Sequence, residues 1–212
     1  MIAVTLLKFS KMKKIIISFF VVAAIGALSF ISSDPLPIGS KMPKADLKLK
    51  DISGKEVSLN EAVEEHGLLV MFSCNTCPFV IKNQQRTVAT GAFARKMNVG
   101  FIVLNSNEAQ RDNDDSYDAM KRYAKEQNYQ WNYVVDKNNE VADAFGANRT
   151  PECYLFDKNR KLVYHGAIDD NPSDPDHIKR HHLQEAINEL VAGKEVTVKE
   201  SRSVGCSIKR KG

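Results

Sequence analysis

Cys74-Asn75-Thr76-Cys77 is a C-x-x-C pair, and Pro78 follows it directly. Thiolate is the reactive form of cysteine, and a helix N-terminus favours it through unpaired N–H groups and a partial positive charge. The apolar run Leu68 to Phe72 precedes the pair, and Phe79 to Met97 reads as a helix behind it. Strand, C-x-x-C and helix in that order suit thiol–disulfide exchange: one thiolate attacks a disulfide, and a second thiol one turn away resolves the mixed disulfide. A structural disulfide at this spacing would close almost no loop and constrain little of the unfolded chain. A Cu(I) or Zn(II) module is the reading from another class. It needs further ligands, and His66, His165 and the tail lack recognisable ligand spacing.

The other cysteines are Cys153 and Cys206. Sequence does not choose among the pairings of four cysteines. Cys153 reads as a small buried strand residue. Cys206, after Gly205 in the tail, is a second resolving thiol, a partner for Cys153, or free. Glu152 beside Pro151 is an accessory candidate for proton transfer. His181-His182 reads as a solvated helix face.

These residues need elements to hold them. Asp46 to Asp51 alternates like a half-buried strand, and Val57 to Leu59 can return beside it. Ser58-x-x-Glu61 has the capping-box spacing for a short helix to about Glu65. Leu68 to Phe72 and Val99 to Asn105 are continuous apolar runs, as in central parallel strands. Asn113 to Ser116 caps a helix with Tyr117, Met120, Tyr123 and Ala124 on its apolar face. Tyr133 to Asp136 is a strand, and Val141 to Phe145 a short helix that Gly146 ends. Cys153 to Asp157 and Leu162 to Gly166 form a hairpin. A last helix starts at Asp174-Pro175, with Gly193 beyond its end. The order β-α-β-α-β-α-β-β-α predicts an α/β domain with a mixed sheet.

Of 212 residues, 30 are Lys or Arg and 26 are Asp or Glu. Lys8, Lys11, Lys13 and Lys14 precede every acid, so the remainder is electrically balanced. Nothing here favours nucleic acid binding. Lys11-Met12-Lys13-Lys14, the apolar run Ile15 to Ile31 and the small residues at Ala27 and Ser29 read as an export signal. The alternative is an uncleaved membrane anchor. Residues 1–33 are therefore a signal peptide or anchor, 34–44 a linker, and 45–212 one domain. The expected location is periplasmic or secreted, where disulfides persist.

Several segments carry a family resemblance: Phe72 to Val80 around the C-x-x-C, Leu104 to Glu108, Arg149 to Asp157, Gly166 to Asn171 and Val204 to Lys209. From about Ile38 to Lys209 the chain resembles the thioredoxin-like redoxin proteins related to AhpC/TSA. The resemblance implies a thioredoxin-like fold, a central mixed sheet flanked by helices, with extra N-terminal strands. It implies that Cys74 is the nucleophile at an exposed mouth, that Cys77 is the more buried resolving thiol, and that Thr150-Pro151 is a cis peptide offering backbone to substrate. No organic cofactor is implied. Partners would be protein or small-molecule thiols and disulfides plus a redox partner. Ser73, Asn75-Thr76 and Leu68 depart from the thioredoxin pattern of a tryptophan, Gly-Pro or Pro-His, and a buried acid. A thiol peroxidase is the runner-up, since Cys77-Pro78 looks like a peroxidatic Cys-Pro, although Cys74 stands where those enzymes carry threonine.

Overall fold

The structure is a computed structural model and describes residues 34–211. The expected leader at 1–33 lies outside the described residues. The chain runs β1 (Leu49–Asp51), β2 (Glu56–Val57), β3 (Gly67–Ser73), α1 (Pro78–Lys96), β4 (Val99–Asn105), α2 (Tyr117–Glu126) and β5 (Asn132–Val135). It continues through α3 (Glu140–Phe145), β6 (Arg149–Thr150), β7 (Glu152–Asp157), β8 (Leu162–Gly166), α4 (His182–Val191) and β9 (Cys206–Ser207).

Seven strands form a mixed sheet in the order β2-β1-β5-β4-β3-β7-β8. The centre, β5-β4-β3, is parallel; β1 and β2 add an antiparallel edge on one side, and β7 and β8 on the other. The apolar runs explain the centre. On β3, Leu68, Val70 and Phe72 face one core, and Leu69 and Met71 face the other. A strand covered on both faces has no polar alternation to show. One face packs Phe72, Phe145, Tyr154 and Phe156 edge to face, with ring centroids 5.2–5.6 Å apart. The other face packs Met120 of α2, Ala94 of α1 and Leu183 and Ile187 of α4.

Three expectations meet a different structure. Ser58 and Glu61 do form the reciprocal capping bonds, at 3.2 and 2.8 Å, but only turns follow. The chain must reverse there: Glu64 N–H bonds to the carbonyl of Gly67, where β3 begins. Asp174-Pro175 starts only a short 3-10 turn, and the helix begins at His182. Asp174 accepts from Asp176 N–H, and Asp170 binds Lys179 and Arg180, so local side-chain and loop bonds outcompete helix in between. The 34–44 stretch is laid along the domain. Leu36 N–H bonds to Phe145, Gly39 N–H to Leu162 and Met42 N–H to Arg160, and Met42 is buried.

Candidate active site at the N-terminus of helix α1

The cysteine pair sits where β3 gives way to α1, beyond the carboxyl ends of the parallel strands. Cys77 is the N-cap residue of α1 and Pro78 occupies the first turn, where a missing N–H leaves no hydrogen bond unmade. Arg95 and Lys96 sit in the last turn, complementing the helix dipole. Gly91 allows α1 to lie close on the sheet: a Cβ there would fall 2.5 Å from Trp131 and 2.8 Å from Phe101.

Cys77 is joined to Cys206 by a disulfide, with Cα atoms 6.0 Å apart across a sequence separation of 129. This corrects the expectation that Cys77 pairs with Cys74. Cys74 is a free thiol, and only 1% of its surface is exposed, against 5% for Cys77. It therefore does not stand at an exposed mouth. Burial pushes the Cys74 thiol above its usual range, the Thr150 hydroxyl opposes this, and the negative charge of Asp115 adds to it. Cys153 is also free and fully buried on β7, and burial raises its thiol too.

Thr150 meets Cys74, Cys77 and Cys206. Its Oγ1 shares a hydrogen bond with Cys74 Sγ at 3.6 Å, and its carbonyl oxygen lies 3.3 Å from Cys77 Sγ. Its backbone pairs antiparallel with Cys206, while Arg149 pairs with Ser207. The Thr150–Pro151 peptide is cis. The backbone edge expected to be offered to substrate is thus already joined to β9 of the same chain. Gly205 makes this approach feasible, since a Cβ there would lie 2.1 Å from the Thr150 carbonyl oxygen.

Glu152 is buried, but its bonds run away from the sulfurs. It accepts from the N–H groups of Asn148 and Arg149 at 2.8 and 2.9 Å and pairs with His165 at 2.8 Å. It braces the loop that carries Thr150. Among the described residues no group of three or more His, Cys, Asp or Glu is placed to hold a metal ion. His165 is committed to Glu152, and His66 lies at the far end of β3 from Cys74.

A buried polar cluster, not expected from the residue pattern, lies under the C-x-x-C loop. Asp115 is fully buried and accepts from Asn75 N–H at 2.8 Å, Asn105 Nδ2 at 2.7 Å and Asn107 Nδ2 at 2.8 Å. The Tyr133 hydroxyl donates to Asn75 Oδ1 at 2.8 Å. Such a network, fully bonded, fixes a loop geometry. The signal was present in Asn105-Ser106-Asn107 directly after an apolar strand. Asp115, however, read as part of a helix cap, whereas Ser116 is the capping residue.

A cysteine at a helix start, a cis proline facing it and this mixed sheet define a thioredoxin-like protein. The chain belongs to the redoxin family, whose description, Redoxin, matches residues 37–180. An uncharacterized conserved protein from Geobacillus kaustophilus is 34% identical with a TM-score of 0.77, over 82% of this chain and 93% of that one. The thioredoxin domain of a thiol-disulfide oxidoreductase from Bacteroides vulgatus is 21% identical with a TM-score of 0.52, over 62% and 89%. A mutant PrxQ from Xylella fastidiosa is 16% identical with a TM-score of 0.57, over 76% and 98%. These two show the shared fold. No functionally curated protein matches the chain.

Proposed function

We propose that this redoxin is an extracytoplasmic thiol–disulfide oxidoreductase whose central sulfur is Cys77, with Cys206 and Cys74 as its alternative partners. The observation that carries this is the Cys77–Cys206 disulfide at the N-terminus of α1, in one cluster with the free Cys74 thiol. When the disulfide is reduced, the helix N-terminus favours the Cys77 thiolate. That thiolate attacks a substrate disulfide and expels one substrate thiolate. Cys206 then attacks Cys77 in the mixed disulfide and expels the second, so the substrate leaves as thiols and Cys77–Cys206 is re-formed. A dithiol donor restores the reduced pair by the same chemistry, and the direction follows the poise of the compartment.

An extracytoplasmic location is supported by the leader-like composition of residues 1–33 and by a disulfide spanning most of the domain. Mass spectrometry of the native N-terminus tests it, and an intact Met1 or Met12 in a cytosolic fraction would exclude it.

The decisive experiment is a redox titration of the purified protein in graded thiol/disulfide buffers, read by alkylation and peptide mass spectrometry. Cys77–Cys206 should open and close reversibly, and Cys77→Ser should abolish exchange. A Cys77→Ser variant with full exchange would overturn the assignment. Peroxidase activity is the second reading. It is favoured by a helix-start cysteine with a distant partner, since Cys206 could condense with a sulfenic acid on Cys77. Hydrogen peroxide consumption coupled to Cys77–Cys206 formation would move it ahead.

A further inference from the structure

The tail itself shows how an extended peptide would reach this centre: β9 lies along β6 and so brings its cysteine to Cys77. An incoming client strand would need the same backbone edge, and β6 is only two residues long. We infer that β9 fills this edge in both redox states, so that the centre exchanges with low-molecular-mass thiols and disulfides rather than with extended segments of client proteins. This rests on the exchange function proposed above.

Bonds independent of the disulfide hold the tail on both sides of Cys206. Ile208 is buried in the core with Phe145, and its N–H donates to the Asn148 carbonyl at 3.1 Å. Lys209 N–H donates to Asn107 Oδ1 at 2.8 Å, and its carbonyl accepts from Ala109 N–H at 2.9 Å. Arg210 pairs with Asp143 at 2.8 Å. Upstream, Ser201 N–H donates to the His165 carbonyl at 3.0 Å, and Ser201 Oγ accepts from Ala167 N–H at 2.9 Å. Opening Cys77–Cys206 removes none of these.

The tail also sets which sulfur the solvent meets. Cys74 and Cys77 are buried, whereas Cys206 is half-buried. The half-buried Cys206 marks the opening through which a small disulfide reaches the Cys77 thiolate without strand pairing. A peptide that depends on main-chain bonds for its alignment loses them at an occupied edge.

The test uses the reduced full-length protein and two probes. One is 2-hydroxyethyl disulfide; the other is a linear peptide dimerised through a single cysteine. Each rate is divided by that of free dithiothreitol on the same probe. The wild type should favour the small disulfide by about tenfold or more, the equivalent of one or two aligned main-chain hydrogen bonds. Ile208→Asp removes the buried anchor and should bring the ratio down by accelerating the peptide. If that variant does not fold, Arg210→Glu loosens the tail from the surface and should shift the ratio the same way. Equal normalised rates in the wild type would overturn the inference and leave the exchange function standing. So would an unchanged ratio in a variant whose tail is cut rapidly by protease. Failure of the wild type to react with either probe would sink the exchange function itself.

Discussion

Thr150 joins the three cysteines of the site, through its hydroxyl to Cys74, its carbonyl beside Cys77 and its backbone paired with Cys206. Only the hydroxyl acts on a titrating group in the oxidised protein. Thr150→Val should remove a bond that lowers the Cys74 pKa and so raise it further. The expected readout is slower alkylation of Cys74 in the variant, with its pH inflection moved to higher pH. An inflection moved the other way would contradict the hydrogen bond. In the native protein the sign is also defined. The folded pKa is raised, so an unfolded chain loses this proton first, at about pH 8.5. Stability from the neutral buried thiol is full below that pH and declines as pH rises above it. Denaturant midpoints between neutral and alkaline pH should therefore fall less in Cys74→Ala than in the native protein.

At the scale of elements, two features shape the site: the Asp115 cluster beneath the C-x-x-C loop, and the close docking of β9. Asp115→Ala leaves the N–H of Asn75 and the amides of Asn105 and Asn107 without this acceptor. A loss of about 3 kcal/mol is expected on denaturant unfolding, because buried donors lose their partner. A loss below about 0.5 kcal/mol, within the range of ordinary surface changes, would show that the cluster does not hold the loop. Gly205→Ala places a methyl group into the Thr150 carbonyl. Oxidation of the reduced variant should then give Cys77–Cys206 more slowly than in the native protein. Unchanged kinetics would mean that β9 need not lie so close.

For the molecule as a whole, the Cys77–Cys206 bond spans 129 positions. In the chain-entropy account a loop of this size stabilises the fold by about 5 kcal/mol. The observed loss on reduction should be no more than that, read as the difference in unfolding free energy with and without a thiol reductant. Cys206→Ser should produce a similar loss and let Cys77 pair with Cys74. A mass map showing no Cys74–Cys77 bond in that variant would limit the centre to Cys77 and Cys206. The sheet carries the site in the usual manner of parallel strands: β3 and β4 end at Ser73 and Asn105, and the functional loops lie beyond those ends.

Much of this organisation was legible in the residues. Val99 to Asn105 forms a strand with those bounds, and the apolar runs mark the buried centre because a strand covered on both faces needs no polar side. The C-x-x-C, Pro78 and the helix behind them are local features, fixed by spacing and by the tolerance of a helix start for proline. What the sequence could not decide was which distant groups meet. Four cysteines allow three pairings, and only the path of the tail along β6 brings Cys206 to Cys77. The same holds for Asp115, whose cap-like neighbours conceal a side chain turned into the core. The Ser58 cap was correct as chemistry and still led to no helix, because the reversal into β3 outweighed a local preference. Local bonds are written in neighbouring residues; contacts across the chain depend on how packing brings remote segments together.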